Sequence, residues 1–271
     1  MLECEDIHAK GPNADVFAVK ISCPGPRPVT GYLSRPKFRS QEGRKFPALL
    51  EVDGYGCGRM RPYDGGMGQR EIMLHINAHG FELGKDLQYY QDFNKSICDG
   101  NWSYAFSPKQ NASHDTAYFN GMALRVMRAL EYLKTIPEWD GKTLKVNGGS
   151  QGGLQAIWAA GLDPDVTCCR SAITWCCDMG GEKMGRIRGA WYIQGTDVLR
   201  YYDPINHVKR INPACELQIP RAGLGDYTCP PIGLWMLYDK APCHKKSIHW
   251  IQGSSHGYVP PPPYQEFDLA R

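Results

Sequence analysis

An α/β fold, with a mostly parallel central sheet flanked by helices and an N-terminal β-hairpin, is predicted by three features of the sequence. Between residues 116 and 160, an amphipathic segment, a short strand-like run and a second helix-forming segment follow one another, as is typical of parallel sheets. Two β-branched or aromatic runs, 16–22 and 29–33, flank Cys23-Pro24-Gly25-Pro26, which predicts a hairpin. The length of 271 residues suits a single domain over 1–271 with a sizeable core.

Strand and helix candidates alternate along the rest of the chain. Short apolar or alternating runs bounded by turn residues are typical of strands, and apolar residues at helical spacing are typical of helices. The segments 81–115 and 176–202 show no clean period and are expected to form a long surface excursion and an insertion over the sheet. The predicted strands are 46–52, 73–80, 143–146, 166–173, 214–226 and 247–252, and the predicted helices are 116–135, 154–160, 204–211 and 232–238.

The longest helix candidate, 116–135, carries apolar residues at three- and four-residue steps. Asp115 or Ser113 is available as its N-terminal cap, and Pro137 is expected to end it. The strand and turn that follow directly contain the main motif of the chain.

Charge and hydropathy patterns exclude several classes of protein. The formal net charge is +3, and Lys and Arg are scattered along the chain, which gives no support to nucleic-acid binding. No apolar run approaches the roughly 18 residues needed to cross a bilayer, so no membrane partner is expected. The N-terminus lacks the basic and apolar regions of a signal peptide. The chain as it stands is expected in the cytoplasm, or in the periplasm or outside the cell if a leading segment has been removed.

The cysteines favour a reduced protein. There are eleven, and the adjacent pairs Cys168-Cys169 and Cys176-Cys177 suit neither a disulfide framework nor the paired C-x-x-C of a zinc site. We expect most of them to pack in the core as small apolar residues.

The motif Gly148-x-Ser150-x-Gly152 fits the nucleophile elbow of serine hydrolases. In that turn the serine has a strained backbone and its neighbours must be small, so that the hydroxyl points out above the sheet. A strand before the motif and a helix after it provide the context that the motif requires. We therefore predict that Ser150 is a nucleophile in an α/β-hydrolase fold.

A serine nucleophile needs a base that accepts its proton, and in an α/β hydrolase the acid and then the histidine follow the serine. Among the four histidines after Ser150, His207 and His249 lie within helix and strand patterns, and His244 precedes a strand. His256 lies in a loop after the last predicted strand, between small residues, and is predicted to be the general base.

Asp226 is predicted to orient that base. It ends a strand after Gly223-Leu224-Gly225, and the interval to His256 has room for the one helix and one strand that the fold inserts there. Asp203 is the alternative acid, and its other role would be to cap the helix that begins at Pro204.

Hydrogen-bond donors must also stabilise the oxygen of the tetrahedral intermediate. The backbone N–H of Gln151, directly after the serine, is the expected first donor. The backbone N–H of Tyr55, in the glycine-rich loop after strand 46–52, is the predicted second donor.

With these residues in place, the chain resembles the acetyl xylan esterase and cephalosporin-C deacetylase family of α/β hydrolases. Asp53 stands where that family usually has histidine, and Asn77-Ala78-His79-Gly80 lies roughly where its Arg-Gly-Gln segment is expected. The matching segments are Asp53-Gly54-Tyr55-Gly56, Gly148-Gly149-Ser150-Gln151-Gly152-Gly153, Tyr202-Asp203-Pro204-Ile205-Asn206, Arg210-Ile211, Gly223-Leu224-Gly225-Asp226, Cys229-Pro230-Pro231 and His256-Gly257.

The resemblance implies a serine carboxylesterase that deacetylates O-acetylated saccharides, such as acetyl xylan or xylo-oligosaccharides, through an acyl-enzyme without metal or cofactor. Aromatic residues around 89–93 and 175–202 are candidates for a sugar-facing wall, with ordinary packing as the alternative. The usual leading helical segment of the family is missing, as it would be in a truncated chain, so homo-oligomerisation stays open. The alternatives are a short-chain esterase or peptidase of another branch and a non-catalytic binding scaffold.

Overall fold

The structure is a computed structural model that describes residues 3–6, 14–37, 43–58, 60–62, 70–181, 183–186, 193, 195–263 and 265–270. The insertion predicted over 176–202 lies partly outside these residues. No helix among the described residues combines the length and apolar character needed to cross a membrane.

A ten-stranded sheet organises the chain, in the order β1-β2-β3-β5-β4-β6-β7-β8-β9-β10. The six strands from β5 to β9 in this order are parallel, whereas β1, β2 and β3 at one edge and β10 at the other are antiparallel. The α/β-hydrolase prediction and its N-terminal hairpin are confirmed. The strands are Glu3–Asp6, Ala14–Ile21, Val29–Pro36, Phe46–Val52, Ile72–Ile76, Trp139–Gly149, Cys168–Ala172, Glu216–Gly223, Lys246–Ile251 and Glu266–Ala270.

Within the described residues, five α-helices accompany the sheet. Consecutive helices from α2 to α5 pack on one another, and α2, α3 and α5 also contact the strands. The main core lies between these helices and one sheet face, where Leu50, Val146 and Ile219 are fully or almost fully buried. The helices are α1 (Leu87–Ser96), α2 (Tyr118–Lys134), α3 (Gln151–Leu162), α4 (Pro204–Val208) and α5 (Pro231–Lys240).

The opposite face of the central strands carries polar side chains. Glu51, Asn147 and Arg170 lie side by side on β4, β6 and β7, and the Asn147 amide donates to the Glu51 carboxylate at 2.6 Å. These side chains are half-buried or exposed. The alternation of side chains along these strands therefore gives the sheet one buried apolar face and one partly exposed polar face.

Two predictions about local structure were wrong or incomplete. The segment 81–115 is not only a surface excursion, because it contains α1 and buries Tyr90 and Tyr104 completely. The N-terminal cap of α2 is Ala117, which offers no side-chain hydrogen bond, and not Asp115 or Ser113. The Ser113 and Thr116 side chains instead hydrogen-bond each other in the turn before the helix.

All eleven cysteines are free, and six of them are buried. Burial raises the pKa of Cys169, Cys176 and Cys177 well above the ordinary value. These thiols behave as small apolar core residues, as the sequence predicted.

Candidate active site

The turn at Ser150 has the strained geometry that its motif predicts. Ser150 joins β6 to α3 with φ 56° and ψ −117°, a conformation that L-residues rarely adopt. A Cβ atom on Gly148 would lie 2.4 Å from the Gly152 carbonyl, and one on Gly152 would lie 2.4 Å from the Val52 oxygen. Glycine is therefore required at both positions.

Backbone hydrogen bonds fix this turn to the neighbouring strand. The Ser150 N–H donates to the Ala172 oxygen at 2.9 Å, and the Trp175 N–H donates to the Ser150 oxygen at 3.0 Å. Ala172 ends β7, and Trp175 follows it. Both backbone polar groups of Ser150 are thus bonded to residues at or just after the end of β7.

The glycine-rich loop 53–58 leaves the sheet beside the elbow. Strands β4 and β6 are adjacent, parallel and in register, with Val52 opposite Gly148. The backbone N–H groups predicted as oxyanion donors, those of Tyr55 and Gln151, therefore belong to two neighbouring segments. The loop and Asn77 also line a cavity of about 310 Å³, so this segment is accessible to a small molecule.

Three side chains that the sequence analysis did not select as site residues hold the loop. The Gly56 N–H donates to the Tyr104 hydroxyl at 2.8 Å, and the Asn77 amide donates to the Gly56 oxygen at 3.2 Å. On α3, the Gln155 amide donates to the Asp53 oxygen at 3.1 Å. Asn77 lies in the segment 77–80, which stands roughly where the family's Arg-Gly-Gln segment is expected. Tyr104 lies in the segment 81–115, where the sequence shows no clean period.

Asp226 and His256 meet at the carboxyl ends of β8 and β9. Asp226 is 2% exposed, and its Oδ2 lies 3.0 Å from Nδ1 of His256. Its Oδ1 accepts the backbone N–H groups of Thr228 and Cys229, both at 2.9 Å. The carboxylate is thus fixed by the turn while one oxygen faces the imidazole, which is the arrangement that orients a histidine base.

The turn that carries His256 is tied to the turn that carries Asp226. The Gly225 N–H donates to the Ser254 oxygen at 2.9 Å. Arg221, on β8, donates through Nη2 to the oxygens of Ser255 and His256 at 2.9 and 2.6 Å. Arg221 is a further residue that the sequence analysis missed, because its role depends on the neighbouring strand.

Cys229 lies next to the acid and the base. Burial, followed by the charge of Asp226, raises the pKa of its thiol well above the ordinary value, and an interaction with the nearby Ser150 side chain opposes this shift. Ligand atoms of Asp226, Cys229 and His256 all lie within 4.8 Å of one another. Among the described residues this group could hold a metal ion, although Asp226 and His256 already bond each other. At neutral pH the thiol is protonated and is a poor nucleophile.

The other candidates have structural partners. Asp203 caps α4 by accepting the Ile205 N–H at 2.9 Å. Nε2 of His207 lies 2.6 Å from the Tyr201 oxygen, and His249 pairs with Glu266 and Asp268 on β10. His244 is exposed at the turn before β9.

The aromatic segments proposed as a sugar-facing wall are mostly packed inside the protein. Tyr90 and Trp175 are fully buried and Tyr202 is nearly so, while Trp191 and Tyr192 lie outside the described residues. Tyr201, in the second segment, is 65% exposed, and further exposed tyrosines flank the acid and the base at Tyr227 and Tyr258. Packing is therefore the role of the buried aromatic residues in the two predicted segments.

Comparison with known proteins identifies the family. Residues 1–182, about two thirds of the chain, match the sequence profile of the acetyl xylan esterases (AXE1). The chain belongs to the acetyl xylan esterase family. The family resemblance seen in the sequence is confirmed. The matched segment includes Tyr55, Ser150 and Gln151.

Individual relatives agree with this assignment. Acetyl esterase Axe7A of Xylanibacter ruminicola is 26% identical over 260 residues, which are 89% of this chain and 57% of that protein. The chain therefore spans little more than half the length of this curated relative.

Solved structures support the fold. An acetyl xylan esterase from Paenibacillus sp. R4 superposes with a TM-score of 0.70 at 20% identity, over 92% of this chain and 80% of that one. Acetyl xylan esterase 1 from Thermoanaerobacterium sp. JW/SL YS485 gives 0.74 at 18% identity, over 96% and 83%.

Two departures from the acetyl xylan esterase pattern acquire partners of their own. A carboxylate oxygen of Asp53 lies 2.8 Å from Nε2 of His75. Burial lowers the pKa of His75, but the hydrogen bond to Asp53 and the negative charge of Asp53 outweigh it, so that the pKa is raised. Nδ1 of His79 lies 2.8 Å from the Tyr118 hydroxyl. Burial, and then the charge of Arg125, lower the pKa of His79 to about 3, so this ring is neutral at physiological pH.

Proposed function

We propose that this protein is a serine carboxylesterase that removes acetyl groups from acetylated xylan or xylo-oligosaccharides through an acyl-enzyme. The observation that carries the proposal is the contact between the buried Asp226 carboxylate and His256, at the same sheet edge as the strained serine turn. The choice of an acetylated saccharide as substrate is supported by the similar proteins, which are named acetyl esterase or acetyl xylan esterase.

In the first half of the proposed reaction, Ser150 Oγ attacks the acetyl carbonyl and His256 takes the serine proton through Nε2. Asp226 holds the Nδ1–H of the ring, so that Nε2 is the basic nitrogen. The tetrahedral intermediate then collapses, and His256 returns the proton to the departing sugar oxygen. The sugar leaves with a free hydroxyl group, and the acetyl group stays on Ser150.

In the second half, His256 removes a proton from water, and the water oxygen attacks the acetyl-serine. The tetrahedral intermediate then collapses as His256 returns the proton to Ser150 Oγ, which breaks the acetyl–serine bond, releases acetate and restores the free enzyme. The backbone N–H groups of Tyr55 and Gln151 would stabilise the oxyanion in both halves, at about 3 to 4 kcal/mol for each donor. The strained turn at Ser150 supports this proposal, because it holds the nucleophile at the start of α3, next to the Gln151 N–H.

The proposal is tested by acetate release from acetylated xylo-oligosaccharides and from 4-nitrophenyl acetate. Ser150→Ala should lower kcat by about four to six orders of magnitude, the scale seen when a triad nucleophile is removed. Ser96→Ala, an exposed serine on α1, is the matched control and should keep parental activity.

The substrate class is tested with a panel of acyl-chain lengths and with amide analogues. Preference for acetyl esters supports the acetylesterase, whereas equal turnover of longer acyl groups or of amides would favour a general esterase or a peptidase. A folded parent that releases no more acetate than Ser150→Ala would refute the catalytic proposal and leave the binding scaffold.

A further inference from the structure

The Tyr104 hydroxyl joins the two segments that carry the proposed oxyanion donors. Tyr104 is fully buried, and its hydroxyl accepts the Gly56 N–H at 2.8 Å. The same hydroxyl donates to Oε1 of Gln151 at 3.0 Å. One side chain thus links the loop after β4 to the first residue of α3.

The loop is held on its other side as well. The Asn77 amide donates to the Gly56 oxygen at 3.2 Å, so the two polar groups of Gly56 are both bonded to buried side chains. The Tyr55 ring stacks on the Tyr104 ring with centroids 4.7 Å apart and planes 19° apart. Tyr104 therefore contacts the residue on which the second donor is proposed, both through its ring and through the neighbouring peptide.

We propose that Tyr104 is a positioning residue of the oxyanion hole, whose hydroxyl sets the separation between the backbone N–H groups of Tyr55 and Gln151. The inference rests on the proposed esterase function. Stabilisation of an oxyanion depends on donors that are already in place before the reaction, and an error of about 1 Å in such geometry can cost about 100-fold in rate. A bridge between the two segments supplies that fixed geometry.

The surroundings keep the bridge in one state. Burial raises the pKa of Tyr104 far above its usual value, so the hydroxyl stays protonated and can donate to Gln151 while it accepts from Gly56. The ring of His79 packs edge-on against Tyr104 at 4.5 Å and is neutral, as described above. The hydrogen-bond pattern therefore does not change across the pH range in which the protein would work.

Tyr118 provides a matched control. Its ring packs against Tyr104 with centroids 5.1 Å apart, so it belongs to the same aromatic cluster. Its hydroxyl contacts His79 and Arg27 instead of the oxyanion loop. Removing either hydroxyl deletes one oxygen from the same buried region, but only Tyr104→Phe breaks the bridge.

The experiment compares Tyr104→Phe, Tyr118→Phe and the parent for kcat and KM on 4-nitrophenyl acetate, with thermal unfolding measured in parallel. Tyr104→Phe should lower kcat by about 10- to 100-fold and change KM by less than about threefold, because only the transition state loses an interaction. Tyr118→Phe should keep kcat within about threefold. A purely structural role predicts the opposite pattern, with both variants losing stability and activity in parallel, and that result would overturn the inference.

A boronic acid that mimics the tetrahedral intermediate gives a second readout. Its affinity should fall in Tyr104→Phe by the same factor as kcat/KM, because both measure oxyanion binding. Unchanged affinity would contradict the inference even if kcat fell.

A double variant tests the bridge itself. Gln151→Met removes the side-chain acceptor and keeps the backbone donor, so its effect should overlap with that of Tyr104→Phe and the combined loss should be smaller than the product. A loss equal to the product would show that the two residues act independently. If the parent releases no more acetate than Ser150→Ala, the esterase proposal is refuted. If the parent is active but the Tyr104 variants do not behave as expected, only this inference is refuted.

Discussion

Two buried aspartates, Asp226 and Asp203, have similar surroundings and different partners. They are 2% and 7% exposed, and each accepts backbone N–H groups from the turn around it. Both carboxylate oxygens of Asp203 accept backbone N–H groups. Oδ1 accepts those of Asp178 and Ile205, and Oδ2 accepts that of Met179 at 2.8 Å.

Asp226 receives its two backbone donors on a single oxygen and keeps Oδ2 for His256. Burial and backbone contacts therefore do not distinguish Asp226, the proposed orienting acid, from Asp203, a structural one. The distinguishing feature is an oxygen that faces an imidazole.

The largest expected difference between the two turns is in catalysis. Asp226→Asn should lower kcat by about 10⁴-fold, since an amide nitrogen facing Nδ1 favours the wrong histidine tautomer. The melting temperature should change little, because Oδ1 of the amide can still accept the two backbone N–H groups. The measurement is kcat on 4-nitrophenyl acetate with a thermal melt of the same sample, and parental turnover in the variant would remove Asp226 from the mechanism.

A smaller loss is expected when the two turns near His256 are uncoupled. Arg221→Met deletes the donors to Ser255 and His256 and should lower kcat by about tenfold, because the base loses its fixed position. Arg210→Met, an exposed arginine after α4, is the control. Equal turnover in both variants would mean that the Asp226–His256 contact alone positions the ring.

Asp203→Asn should affect stability instead of turnover. An amide cannot accept all three backbone N–H groups, and a buried donor left without a partner costs about 1 to 3 kcal/mol. We expect kcat within about threefold of the parent, since Asp203 contacts neither His256 nor Ser150 in the proposed mechanism. Urea unfolding together with kcat checks this, and a loss of turnover comparable to that of Asp226→Asn would reverse the assignment of the two acids.

The smallest expected effect is a pH dependence of that stability difference. Burial raises the pKa of the Asp203 carboxyl, although its three backbone donors oppose the change. The folded state then holds the proton more tightly than the unfolded state, so the contribution of Asp203 to stability is fully present below the unfolded pKa. It decreases as the pH rises through the folded pKa.

The free-energy difference between the parent and Asp203→Asn should accordingly narrow as the pH rises from about 4, near the ordinary pKa of aspartate. Urea unfolding at several pH values measures it. Asp197→Asn, which alters an almost fully exposed carboxylate, should show no such trend. A difference that widens with pH would mean that the backbone donors outweigh burial.

Elements with a strong periodic pattern were predictable from the sequence, and elements that depend on distant partners were not. The long helix α2 and the buried strands β4, β6 and β9 lie close to their predicted positions. Strands β1 and β10 were missed because they are only four and five residues long and become strands by pairing with β2 or β9. The helix α1 was missed because its sequence, LQYYQDFNKS, has few apolar residues to reveal a period.

The sequence by itself determined the elbow, because the glycines around Ser150 form a recognisable motif and a side chain on Gly148 would clash with Gly152, four residues later. The tertiary structure decided which acid faces the imidazole, since Asp203 and Asp226 differ only in what the fold brings to their second oxygen. It also decided the support of the glycine-rich loop 53–58, where Tyr104 bonds Gly56 and Gln151 across 48 and 47 positions of the chain. The steric constraint on Gly148 is local and leaves a motif, whereas a hydrogen bond between distant residues exists only once the strands and helices have packed.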